Sequence, residues 1–135
     1  MHESCVAVDG KAVLILGESG TGKSTLALTL MAFGADLVAD DRVILQEDAG
    51  QVMASAPATI AGLIEARGVG ILNADAIVNA RLALVVDLDV VEGERLPTLR
   101  QITILGCKLP LLHRVEGIHF GPAILQLLRA GRSDR

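Results

Sequence analysis

The sequence predicts an α/β fold: a mixed sheet that carries a phosphate loop and is flanked by helices. Three observations point there. An apolar run at residues 12–16 leads through a glycine-rich loop into a helical stretch at residues 25–33, the strand–loop–helix order of α/β units. Elsewhere, hairpin signals alternate with helical stretches rather than repeating one βαβ unit. The 135 residues are 51% hydrophobic but only 1% aromatic, so the core must be built from Leu, Val, Ile and Ala. A chain of that length suits one domain, residues 1–135, burying about two thirds of the surface exposed when unfolded.

Each element follows from local pattern. Residues 5–9 read as a short strand, Gly10-Lys11 as a tight turn, and residues 12–16 as a buried strand, which together make a hairpin. Leu26, Leu28, Leu30 and Met31 lie among helix formers, and Gly34 marks a stop. Leu37-Val38-Ala39 resumes an extended pattern that runs into Asp40-Asp41-Arg42. Residues 43–45 form another strand, turned at Asp48-Ala49-Gly50 toward residues 51–55. Pro57 suits the first turn of a helix with apolar positions Ile60, Leu63 and Ile64, ending at Gly68 and Gly70. Residues 82–91 form a long strand, residues 92–100 a polar turn-prone segment, and residues 102–105 and 109–112 a hairpin about Gly106. An amphipathic helix spans residues 118–128, with Pro122 confining its regular part to the later positions.

Composition excludes several functions. Trp and Tyr are absent and the formal net charge is −4, with 12 Lys and Arg scattered along the chain, which argues against nucleic-acid binding. Cys5 and Cys107 lack metal-ligand spacing and read as reduced thiols. No apolar run reaches the roughly 18 residues that span a bilayer, and no basic leader precedes one. The expectation is a soluble, cytoplasmic protein without a membrane partner.

The chemistry centres on Gly17-Glu18-Ser19-Gly20-Thr21-Gly22-Lys23-Ser24, the pattern G-x-x-x-x-G-K-[ST]. Its glycines let backbone N–H groups turn inward around phosphate oxygens, its lysine reaches the β/γ-phosphates, and its serine hydroxyl can ligate magnesium. Transfer to a hydroxyl also needs a proton acceptor and a second acid near the metal. Asp40 and Asp41 follow an apolar strand, so they should emerge at its carboxyl end, where ligand sites gather. Adjacent residues on an extended chain face opposite ways, so one meets the reacting hydroxyl and the other orients a neighbour. Asp87, which ends the apolar run at residues 82–86, is the rival second acid. It supports a nucleotide hydrolase or small-molecule kinase instead, and a nucleotide-sensing module without chemistry is a third reading.

GESGTGKS, LVADDRV at residues 37–43 and IEARGVGIL at residues 64–72 resemble, in order and spacing, the three central motifs of the bacterial HPr kinase/phosphorylase family. His2 fits the family histidine ahead of the loop, Glu94-Arg95-Leu96-Pro97 is similar to the segment with its active-site arginine, and Gly106-Cys107-Lys108-Leu109-Pro110 fits a further pattern. The resemblance covers nearly the whole chain but only the catalytic half of long members. It implies the HPr kinase catalytic fold, with a nucleotide-binding core like that of phosphoenolpyruvate carboxykinase. It also implies ATP- and magnesium-dependent phosphorylation of a serine on an HPr-type phosphocarrier, with reverse phosphorolysis in the family. Carried over, Asp41 would accept the proton with His2 beside it, Lys23 would neutralise the transferring phosphoryl group, Arg95 would act at the reacting phosphate, and Ser24 and Glu65 would ligate magnesium. Residues 113–117 match poorly the basic segment tied to the phosphorylase direction. The family forms hexamers, which implies a homo-oligomer.

Overall fold

The computed structural model describes residues 2–133. Its chain begins with the expected hairpin, β1 (Glu3–Val8) and β2 (Lys11–Leu16), paired antiparallel from Glu3 opposite Leu16 to Val8 opposite Lys11. Asp9 and Gly10 both hold positive φ, 52° and 76°, the geometry of a two-residue turn that follows the strands' twist. Helix α1 (Lys23–Ala32) starts directly after the glycine-rich loop. Then come β3 (Asp36–Ala39), the hairpin β4 (Ile44–Asp48) and β5 (Gln51–Ser55), and a single 3-10 turn at Ala58–Ile60. The chain closes with β6 (Leu63–Ala66), β7 (Gly70–Asn73), β8 (Asn79–Val91), β9 (Arg100–Ile104), β10 (Cys107–Arg114) and α2 (Phe120–Ala130).

The α/β expectation holds, with one element changed. Residues 57–70 do not form a helix: β6 and β7 pair antiparallel as a separate two-stranded sheet. Gly62 at φ 74° leaves the helical region after the 3-10 turn. Ile64 and Ala66 are buried while Glu65 between them is exposed, a period of two that a strand satisfies and a helix does not.

The main sheet has eight strands, ordered β3-β1-β2-β8-β10-β9, with the β4–β5 hairpin branching from the start of β8. β2, β8 and β10 run parallel, and β3 points the same way because both it and β2 pair antiparallel with β1. Side chains alternate between two cores. Val13, Ile15, Leu84 and Val86 pack with Ala27 and Leu30 of α1 and Ile124 and Leu128 of α2. Ala12, Leu14, Leu82 and Val85 face the other way, against Val52 and Ala54 of β5. Gly121 lets the two helices meet, since a Cβ there would lie 2.7 Å from Thr29 Cγ2. Pro122 sits in the first turn of α2, where a missing N–H costs nothing, so the helix is regular from Phe120. No helix among the described residues is long and apolar enough to cross a membrane.

Candidate active site

Topology brings the chemistry to one end of the sheet. The carboxyl ends of β2 and β3 deliver the glycine-rich loop and Asp40-Asp41, and antiparallel β1 starts at that end, with His2 just before it. A cavity of about 430 Å³ opens there, lined by Ser19, Gly20, Gly22, Lys23 and Ser24 of the loop. His2, Ser4, Asp40, Asp41, Glu65 and Arg67 line the rest of its polar wall.

Gly17 opens the loop at φ 156°, and a Cβ on it would stand 2.5 Å from Thr21 Oγ1 and 3.3 Å from Leu88 Cβ. No other residue fits that turn. Thr21 closes it by donating through both its backbone N–H (3.2 Å) and Oγ1 (2.7 Å) to the Glu18 carbonyl. Lys23 is 8% exposed and its Nζ donates to the same carbonyl at 2.9 Å. A phosphate oxygen is the stronger, charge-assisted acceptor for that ammonium. Gly22 caps α1, whose first turn contains no acid, so the positive end of the helix dipole faces the cavity uncompensated.

Asp40 is the buried organiser. At 7% exposure it accepts hydrogen bonds from Ser4 Oγ (2.7 Å) and Ser24 Oγ (3.0 Å) on Oδ1, and from the Glu65 N–H (3.1 Å) on Oδ2. One carboxylate thus ties β1, α1 and β6 together. Asp41 lies past the end of β3 and holds a left-handed backbone at φ 72°, so strand alternation does not separate the two aspartates and both line the cavity. Its carboxylate is largely exposed, and Oδ1 lies 2.7 Å from His2 Nδ1.

The donor set fits magnesium. A small hard cation takes few protein oxygens and fills the rest of its shell with water and phosphate. Among the described residues no group of three or more His, Cys, Asp or Glu forms a dedicated metal cage. Ser24 Oγ spends its proton on Asp40, which leaves its lone pairs for a cation, and the Glu65 carboxylate lines the same cavity.

Asp87 and Arg95 stand apart from this group, and neither lines the cavity. The Asp87 carboxylate accepts the Asp89 N–H at 2.9 Å, and Asp89 in turn accepts the Glu18 N–H at 3.0 Å, so the acids at the end of β8 brace the loop from outside. Arg95 is exposed in the segment between β8 and β9. Arg67 was not anticipated as a site residue. Glu65 and Arg67 are two positions apart, and that spacing on a strand would have put both on one face had the segment been read as β.

The family model described as HPr Serine kinase C-terminal domain matches residues 1–105. The chain belongs to that family. It is 46% identical over 97 residues to a HPr kinase/phosphorylase of Geobacillus sp. (strain WCH70), covering 66% of this chain and 31% of that one. It is 45% identical over 73 residues to a HPr kinase/phosphorylase of Clostridium tetani (strain Massachusetts / E88), covering 54% and 24%. The structure of the Hpr(Ser) kinase/phosphatase from Coxiella burnetii superimposes with a TM-score of 0.79 at 27% identity, covering 96% of this chain and 93% of that one. The family domain described here therefore spans about a third of the length of the curated relatives it matches.

Proposed function

We propose that this domain transfers the γ-phosphoryl group of ATP to a serine of an HPr-type phosphocarrier protein. The observation that carries the reading is the Asp41–His2 pair at 2.7 Å on the cavity that Lys23 and Ser24 also line. Magnesium, held by Ser24 and Glu65 with phosphate oxygens, would supply charge neutralisation on the β- and γ-phosphates. Lys23 and the N–H groups of the loop and of the first turn of α1 bind and orient the triphosphate. As the serine oxygen bonds to phosphorus and the bond to the ADP oxygen breaks, the serine proton passes to the Asp41 carboxylate. His2 holds that carboxylate in place through Nδ1. In phosphorolysis, an oxygen of inorganic phosphate bonds to the phosphoserine phosphorus as its bond to the serine oxygen breaks, giving pyrophosphate, and Asp41 passes the proton taken from the attacking phosphate to the departing serine oxygen. Arg95 would reach the reacting phosphate only if the segment between β8 and β9 moved, or if another copy in a homo-oligomer such as a hexamer supplied it. The relatives' names, which give HPr as what those proteins act on, support the carrier, and with a carrier of that kind the domain would work in the cytoplasm.

Labelled ATP, magnesium and purified phosphocarriers test this directly. Transfer of acid-stable phosphate to a carrier serine is expected. Asp41→Asn should lower the rate by about 10²–10⁴-fold, the usual contribution of a positioned general base, while ATP affinity stays unchanged. If no carrier is labelled, or if Asp87→Asn abolishes turnover and Asp41→Asn spares it, the kinase reading fails and the hydrolase reading replaces it.

A further inference from the structure

A second cavity, of about 340 Å³, lies between β8, β10, the segment at residues 97–100 and the last turns of α2. It shares no lining residue with the phosphate cavity. Its walls are aliphatic: Leu84 comes from β8, Leu111 and Leu112 from β10, and Leu127 and Leu128 from α2. That volume and lining fall in the range of small-molecule sites, which run from about 300 to 1,000 Å³ and pair apolar walls with a few polar groups.

Cations predominate among its polar side chains, with Thr98 neutral. Lys11, Arg81, Arg100 and Arg132 line the cavity, against one acid, Glu92. That acid is already matched, since Arg100 Nε and Nη2 donate to its two oxygens at 3.0 and 2.9 Å. Lys11 Nζ donates to the Leu128 carbonyl at 2.7 Å and Arg132 Nη2 to the Pro97 carbonyl at 2.9 Å, neutral partners, and among the described residues no acid pairs with either cation. The Arg81 backbone pairs within the sheet, but its guanidinium has no hydrogen-bond or ion-pair partner among the described residues.

Aliphatic walls with an unneutralised positive rim select an apolar body with an anionic head. Carboxylate and phosphate both match the guanidinium fork, and a carboxylate suits this leucine-walled site better because its single charge costs less to remove from water. We propose that this cavity binds a small aliphatic monocarboxylate, with its chain among the leucines and its head at Arg81. The proposal rests on the fold alone and needs neither ATP nor a carrier, so it stands or falls apart from the phosphoryl-transfer reading.

Sodium octanoate titrated into the full chain, followed by calorimetry and by methyl NMR, tests it. The expected result is saturable one-site binding that shifts the methyls of Leu84, Leu127 and Leu128 and leaves the phosphate loop unmoved. Hexanoate should bind about 16-fold more weakly, about fourfold for each methylene lost. Arg81→Met should weaken octanoate by roughly tenfold or more, as loss of a charged hydrogen bond does, and leave binding of neutral 1-octanol unchanged. Arg132→Gln serves as a second charge variant should Arg81→Met melt early. Absence of saturable binding overturns the site. So do shifts at the phosphate loop, or octanoate affinity that neither variant changes.

Discussion

Asp40 is 7% exposed and accepts three hydrogen bonds, whereas the neighbouring Asp41 is exposed, bonds His2 and holds φ at 72°. These two environments make opposite demands of a substitution. Asp40→Ala strands the buried Ser4 hydroxyl away from water, an orphaned donor that costs about 1–3 kcal/mol, and removes the acceptor of the Glu65 N–H. Asp41→Asn removes only a surface carboxylate, and Asn enters the left-handed region as readily as Asp. Urea unfolding should therefore show Asp40→Ala destabilised by at least about 1 kcal/mol and Asp41→Asn within about 0.5 kcal/mol of the parent. Equal losses would mean that Asp40 does not organise the site. The contrast also makes Asp41→Asn a clean probe of chemistry, because its effect on turnover cannot be traced to unfolding.

Elements with a local signature were legible in the sequence, and those fixed by distant contacts were not. The hairpin at Asp9-Gly10, the glycine-rich loop with α1 behind it, and Asp40-Asp41 at the end of β3 all follow from residues adjacent in the chain. The stretch after Pro57 misled because Ile60, Leu63 and Ile64 carry a helical spacing, and only the packing of Ile64 into the α1 side of the core decides for a strand. The role of Ser4 was hidden for the same reason: its partner lies 36 positions away. Two element-level predictions follow from packing and charge. Gly121→Val would drive a side chain into Thr29 where α2 crosses α1, and such overpacking should cost about 1–3 kcal/mol by urea unfolding. Glu92, just past β8, is clamped by Arg100 at the start of β9, and those hydrogen bonds hold its carboxyl below the ordinary value of 4.5. A lowered folded-state pKa contributes stability above the unfolded value that is lost as pH falls through the folded one. Acid titration of the parent should show a loss below pH 4.5 that Glu92→Gln lacks; identical acid profiles would refute the clamp.

At the scale of the molecule, the site exists because parallel strands deliver their carboxyl ends to one edge, while the antiparallel β1 returns His2 and Ser4 to meet them. The same sheet, through Asp89, holds the Glu18 N–H on the outside of the loop. Phosphates bound in that cavity would bridge the loop, α1, β3 and β6, elements brought together only by folding. A ligand that binds the folded chain alone stabilises it by RT ln(1 + [L]/Kd), about 2.7 kcal/mol at 100 times Kd. For a chain of this size that corresponds to a rise in Tm of roughly 10 °C. Magnesium with ATP should produce such a rise in the isolated domain with no carrier protein present, read by scanning calorimetry. Lys23→Met, compared with its own ligand-free Tm, should lose most of it, because the ammonium is the cavity's buried cation. A rise that survives in Lys23→Met would place the nucleotide outside the loop and remove the basis of the proposed transfer, whatever the carrier assay shows.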